Sequence, residues 1–240
     1  MGDWGSGTAP QGAVAGAMQR HAEQNDASVI LTTGDNFYSD DAEFLMAPYV
    51  WVEDAGMQWW IAWGNHDVET PTRIEAVNET FDDPPRWGVF QWDDFDVVIL
   101  DSNQITSATQ AAFFLDAMAA SERPTIVVMH HPPYSCSHEA ETVELVNRVV
   151  EVMDDDVVLV LSGHDHTFQR FESEGVSYVV TGGGGSQLYP IQDCPPSHPE
   201  LIAGEELHHF LALSAEDGDL VVEAIDVNGE VFHEFVLELG

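Results

Sequence analysis

The 240-residue chain carries 43 acidic residues against six basic ones, all six of them Arg, for a formal net charge of −37. That balance argues against nucleic acid and anionic membrane as partners, because binding either rests on cations that neutralise phosphate. The length suits one domain spanning 1–240, and the longest apolar runs are strand-sized, well short of the roughly 20 residues that cross a bilayer.

Self-repulsion on this scale is screened best in molar salt, where the Debye length is about 3 Å. A high-salt habitat is therefore expected, with an acidic protein of ordinary medium as the plainer alternative. Cys136 and Cys194 lie in Pro-rich loop sequence, PPYSCSH and IQDCPPSHP. One disulfide between the two loops would imply an oxidising compartment, and two free thiols are the alternative.

In chain order, apolar periodicity predicts a helix over 11–25, a strand over 29–33, a helix over 41–55 and a strand over 59–63. A strand at 97–101, a helix at 109–121 with a Ser or Thr cap, and a strand at 125–129 follow. A helix over 139–153 then leads to strands at 157–162 and 176–181. This alternation is that of an α/β fold, and the continuous apolar run from Val157 to Leu161 reads as a strand covered on both faces. Gly182 to Gly185 reads as a loop that lets backbones approach closely. Three strands at 208–214, 220–226 and 231–237, linked by Asp-Gly and Asn-Gly turns, close the chain as an antiparallel meander.

The chemically capable residues cluster at strand ends. Asp35 and Tyr38 follow the 29–33 strand in GDNFY, Asn65 and His66 follow the 59–63 strand in GNHD, His130 follows the 125–129 strand, and His164 and His166 follow the 157–162 strand in GHDH. Open α/β sheets build their sites in the crevice at the carboxyl ends of strands. On an extended backbone His164 and His166 would face one side and Asp165 the other, and the adjacent His130 and His131 would point apart. Lysine is absent, which excludes a P-loop and a Schiff-base mechanism, and no GxSxG elbow is present.

The ordered set GDWG, GDNFY, GNHD, VVMHHPPY and GHDH resembles the calcineurin-like metallophosphoesterases, and the Tyr of GDNFY makes it most similar to their purple acid phosphatase branch. The resemblance implies a four-layer α/β sandwich of two mixed sheets flanked by helices. It also implies a first metal on Asp3, Asp35, Tyr38 and His166, and a second on Asp35, Asn65, His130 and His164, with Asp35 bridging. His66 and His138 are the implied catalytic imidazoles, and Asp67 is read as orienting a neighbouring imidazole.

A phenolate donor favours Fe(III) at the Tyr38 site, whereas the second donor set suits Fe(II), Zn(II) or Mn(II). Three anionic ligands against a formal +5 leave a site near +2, which explains how so acidic a protein could take a small phosphate ester. The implied reaction is hydrolysis of phosphomonoesters by a metal-generated hydroxide, with His66 or His138 protonating the leaving alkoxide. A phosphodiesterase and a non-catalytic binding module are the alternatives.

Only Met1 and Gly2 precede Asp3, so the first central strand of the family is expected to be missing, and a late-assigned start is the expected reason. The implied location is secreted, extracellular or periplasmic, with the cytoplasm of a high-salt organism as alternative. Specificity is expected in the 67–87 and 182–206 loops. Trp63, Trp87, Tyr134 and Tyr189 are candidates for pocket walls, with core packing the plainer role for most of them.

Overall fold

A computed structural model describes residues 1–137 and 148–239. Helix α1 (Ala9–Asn25) starts where Thr8 accepts a hydrogen bond from Gln11 N and Pro10 sits in the first turn, and it ends at Asp26 in a left-handed conformation. It leads into β1 (Val29–Leu31), and β2 (Gln58–Trp60) pairs parallel to it. The expected helix over 41–55 is broken into α2 (Ala42–Met46), a 3₁₀ turn at Ala47–Tyr49 and α3 (Trp51–Asp54). Pro48 is the cause, because it lacks the N–H and its ring crowds the preceding turn.

A larger correction falls on 67–87, read from sequence as loop. It contains α4 (Pro71–Phe81), capped by Thr70, whose hydroxyl accepts from Arg73 N. The Thr-Pro start was the available signal. Strands β3 (Gly88–Trp92) and β4 (Phe95–Ile99) follow, then α5 (Ala108–Ala120), capped by Ser107, and β5 (Thr125–Val128). The predicted 139–153 helix falls largely outside the described residues; within them Arg148 is helical and Val150–Val152 form a 3₁₀ turn. Next come β6 (Val157–Ser162), β7 (Phe168–Ser173), β8 (Val176–Thr181) and β9 (Leu201–Glu205).

The mixed sheet runs β3-β4-β5-β6-β8-β7-β9. Its β6 is buried at five of six positions, as its unbroken apolar sequence requires. The meander is β10 (His209–Glu216), β11 (Asp219–Asp226) and β12 (Val231–Leu237). One face of the seven-stranded sheet packs on the meander through Phe95, Ile126, Leu159, Leu220 and Val222, and the other carries α5 through Phe114 and Met118. This is the mixed, helix-flanked sheet arrangement expected from the sequence.

Among the described residues β1 pairs only with β2, and β10 only with β11. Between them lies a cavity of about 520 Å³ lined by Val29, Ile30, Leu31, Phe210, Leu211 and Ala212 among others, with Met1 also on its wall. Met1 to Asp3 supply a few ladder bonds here. The Met1 amino group donates to Leu31 O at 2.9 Å, Thr33 N donates to Met1 O at 2.9 Å, and Gly2 N donates to Thr181 O at 3.0 Å. Burial, opposed by the Asp3 charge, pushes the Met1 amino group down to about 5, so it sits there largely neutral.

His209 is fully buried under the meander. Its Nδ1–H donates to Leu207 O at 3.0 Å, and Nε2 accepts from the Thr181 hydroxyl at 3.0 Å. Desolvation holds its pKa down to about 4, against 6.5 for a free imidazole, while the Leu207 carbonyl opposes the shift. Below the unfolded value the unfolded chain takes up a proton that the folded protein refuses, so this residue removes stability as pH falls from about 6.5 to 4, by at most about 3 kcal/mol. Chemical denaturation of the wild type and of His209→Gln across that range should show a shallower acid limb in the variant.

Candidate metal centre

Seven of the sequence-derived residues converge beyond the ends of β1, β2, β5 and β6. Three of them, Asp3 (φ 58°), Asp35 (φ 51°) and His164 (φ 68°), have left-handed backbone. Asp, Asn and His tolerate that region better than other residues with a Cβ, and clustering of such conformers marks a place where geometry is imposed from outside the local sequence. Glycines make the approach possible. A Cβ on Gly64 would collide with Asp35 N and Oδ1, and one on Gly163 would meet Asp3 Oδ2 at 2.5 Å.

Asp3 is fully buried. Its Oδ1 lies 3.1 Å from the Tyr38 hydroxyl and 3.3 Å from His166 Nε2, and Oδ2 accepts from His164 N at 2.9 Å. Tyr38 Oη is also 3.0 Å from His166 Nε2. On the other side Asn65 Oδ1 is 3.0 Å from His130 Nε2 and 3.1 Å from His164 Nδ1. Asp35 stands between the two groups: its carboxylate meets the Tyr38 hydroxyl on one side, and its Oδ1 lies 3.3 Å from His130 Nε2 on the other and accepts from His66 N at 2.9 Å.

Two imidazoles are fixed from behind. His130 Nδ1 donates to Thr33 O at 2.8 Å and His166 Nδ1 donates to Gln187 O at 2.6 Å, which leaves each Nε2 aimed into the cluster. That is how a protein orients a metal-binding histidine. The donor chemistry is two carboxylates, a phenol, an amide oxygen and three imidazoles, a set suited to two cations.

The electrostatics are those of a site built for positive charge. Burial pushes the Tyr38 phenol far above its usual value, and the charges of Asp3 and Asp35 push it further. Burial would lower His130, but the Asp35 charge and contact outweigh it and carry the imidazole to about 10. Asp35 shows the converse: burial acts to raise it, and His130 and His66 together bring it well below the carboxylate range. His164 is lowered to about 4 by burial and by its neighbour His130.

Three local expectations change. GHDH is a bend and not an extended segment, so both histidines reach the cluster through the left-handed turn at His164 and not through strand alternation. His130 and His131 do not point apart: β5 ends at Val128, and beyond it the two rings lie 5.0 Å from each other, with His131 4.5 Å from the His164 ring. Among the described residues Asp67 makes no hydrogen bond to an imidazole. It is fully buried and accepts from Gly64 N (2.8 Å), Phe37 N (2.9 Å) and Asn36 Nδ2 (2.8 Å), so it ties the GDNFY and GNHD loops together by their backbones.

His66 lies beside the cluster, its ring 4.5 Å from that of Tyr38 and its Nε2 4.0 Å from Asp35 Oδ2. His138 lies outside the described residues. Sequence reasoning missed His131, whose Nδ1 meets the Ser102 hydroxyl at 2.8 Å; the doubled His was its only signal. Of the four aromatic candidates, Trp63 and Tyr134 are core residues and Trp87 packs against the core, whereas Tyr189 stacks on His166 with centroids 4.2 Å apart.

Cys136 and Cys194 form a disulfide closing a separation of 58 residues. Next to it Gln192 N donates to Cys136 O at 2.6 Å and Cys136 N donates to Gln169 Oε1 at 2.7 Å, so the loop bearing Gln187 and Tyr189 is pinned to the HHPPY loop. Loop-closure entropy for that span amounts to about 4 kcal/mol. Unfolding in urea of Cys136→Ser should show a loss approaching this figure.

The chain belongs to the calcineurin-like phosphoesterase family, whose profile matches residues 1–168. Within that family it falls in the purple acid phosphatase-like branch. It is 24% identical to purple acid phosphatase 7 of Arabidopsis thaliana over 97% of this chain and 83% of that protein. Among solved structures, GAP50, the anchor in the inner membrane complex of Plasmodium, superposes with a TM-score of 0.81 at 17% identity, covering 100% of this chain and 87% of that one. A purple acid phosphatase from yellow lupin seeds gives a TM-score of 0.70 at 18% identity over 94% of this chain and 49% of that one. Family membership makes metal-dependent phosphoester hydrolysis the class of activity.

Proposed function

We propose that this protein hydrolyses phosphomonoesters at a two-metal centre, with Asp3, Asp35, Tyr38 and His166 holding one metal and Asp35, Asn65, His130 and His164 the other. The observation that carries this reading is the Tyr38 hydroxyl, set 3.1 Å from a carboxylate and 3.0 Å from an imidazole nitrogen in a site that strongly resists phenolate formation. Only a highly charged cation overcomes that resistance, which favours Fe(III) there and leaves Fe(II), Zn(II) or Mn(II) for the neutral amide and imidazoles. When bound, such metals supply Lewis acidity toward phosphoryl oxygens and lower the pKa of water. The chain's own residues do the rest: His130 and His166 are held by Thr33 O and Gln187 O, and His66 stands at the mouth with a ring nitrogen for the leaving oxygen.

The disulfide supports a location outside the reducing cytoplasm. The charge of −37 supports a high-salt setting and a small phosphate ester in preference to nucleic acid or membrane. In the described residues no helix is long and apolar enough to cross a membrane.

The test is metal analysis and a visible spectrum alongside hydrolysis of an aryl phosphate. Tyr38→Phe should keep the fold but lose a visible tyrosinate-to-metal band. A wild type that binds two zinc ions, stays colourless and hydrolyses the ester would overturn the iron assignment and keep the hydrolase. No hydrolysis with any of these metals would overturn the reading itself.

A further inference from the structure

His66 is held by a charged clamp of its own, separate from the residues that would bind metal. Its Nδ1 lies 3.0 Å from Glu69 Oε2, and the same oxygen accepts from Arg73 Nη1 at 2.6 Å. Arg73 Nη1 also donates to the His66 carbonyl at 3.1 Å, and Arg73 Nε faces Asp40 Oδ1 at 3.5 Å. Arg73 is placed by the first turn of α4, where its N–H is taken by the Thr70 hydroxyl.

The clamp therefore joins three pieces of chain: the loop after Tyr38, through Asp40; the loop after Asn65, through His66 and Glu69; and α4. A carboxylate can only accept at His66 Nδ1, so that nitrogen carries the proton and Nε2 is the atom turned toward the cluster, 4.0 Å from Asp35 Oδ2. His66 is 38% exposed at its side chain, and a ring that open would otherwise rotate between orientations. Holding it costs two exposed side chains, Glu69 and Asp40, and one of only six cations in a chain with 43 acids. An exposed ion pair adds little to stability, so orientation is the better account of the arrangement.

We propose that Glu69, anchored by Arg73, is a positioning residue that aims His66 Nε2 at the leaving-group oxygen of the phosphoester. This rests on the hydrolase reading above. In the step concerned, water oxygen forms the new bond to phosphorus and the bond to the leaving oxygen breaks with its electron pair passing to that oxygen. The step starts with His66 as imidazolium, its Nδ1–H held by Glu69 and its Nε2–H facing the leaving oxygen; Nε2 gives that oxygen its proton, and the proton released by water restores it. A misaimed ring spoils this transfer most where the leaving oxygen is most basic.

The experiment has two readouts. In metal-free protein, long-range proton–nitrogen NMR correlations of the histidines should show His66 protonated at Nδ1 in the wild type and in Glu69→Gln, whose amide oxygen still accepts, but mixed or Nε2-protonated in Glu69→Ala. In metal-loaded protein, Glu69→Ala should lower kcat on phenyl phosphate about tenfold more than on p-nitrophenyl phosphate, with metal content and KM little changed, and Glu69→Gln should recover most of that difference. Glu69→Ala added to His66→Ala should cost nothing further, since it acts through the ring. An unchanged His66 tautomer in Glu69→Ala, equal losses on both esters, or additive losses with His66→Ala would each overturn the positioning role. A wild type inactive on both esters would overturn the hydrolase reading, and this proposal with it, while the NMR result would still report whether the clamp holds the ring.

Discussion

Asp35→Ala should abolish binding of both metals and lower kcat/KM on an aryl phosphate by at least about three orders of magnitude. Asp35 faces both halves of the donor set, with Oδ1 3.3 Å from His130 Nε2 and its carboxylate against the Tyr38 hydroxyl. Metal analysis of the purified variant checks the first part, and steady-state kinetics the second. In the metal-free protein burial, helped by the Asp35 charge, pushes the Asp67 carboxyl up to about 7, so part of that shift is repulsion between two buried acids. Removing Asp35 relieves that part, but it also strips His130 and His66 of the carboxylate that they hold well below the usual range, so the metal-free variant should melt below the metal-free wild type. Only the wild type should gain when metal is added, because only it has a cation to bind in the folded state. A variant that retained two metals would show that Asp35 does not bridge.

Asp67→Asn should be nearly as damaging although, among the described residues, Asp67 makes no hydrogen bond to an imidazole of the cluster. Asp67 receives three donors, Gly64 N, Phe37 N and Asn36 Nδ2, and an amide offers only one oxygen to them while turning its own N–H groups on the rest. At least one buried donor is then left unpaired, for a cost of about 2 to 3 kcal/mol. The same change loosens the loops that carry Asp35 and Asn65. A displacement of about 1 Å in such a group is enough to lower activity about a hundredfold. Urea unfolding and kinetics on one preparation check both effects, and full activity with an unchanged unfolding midpoint would refute the bracing role.

The contrast between these two residues shows what a sequence can and cannot reveal. Asp35, Tyr38, Asn65, His130, His164 and His166 were legible because each follows an apolar strand within a short motif, and strand ends converge. Asp67 was legible as an acid in GNHD but not in its task, since its partners, Phe37 and Asn36, lie 30 and 31 residues away. The orientation of His131 was misjudged because the alternation rule was extended three residues past the end of β5. Helix α4 was lost for a related reason: its apolar positions are sparse, with Val77 the only buried one, so periodicity was weak and the Thr-Pro cap was its main signal. The 41–55 helix failed at one proline.

The bonds around Asp3 have a further consequence for the order in which the molecule is made. Asp3 N binds Gly34 O, Asp3 Oδ2 receives His164 N, Asp3 O receives Ser186 N, and Gly183 O in the same loop receives His209 N from the closing meander. Asp3 therefore waits for partners more than 160 positions further along the chain, and pairings of such span form slowly in folding. A donor set completed by such pairings would close after the transition state, so added metal is expected to slow unfolding and leave the folding rate almost untouched, as a latch and not a template.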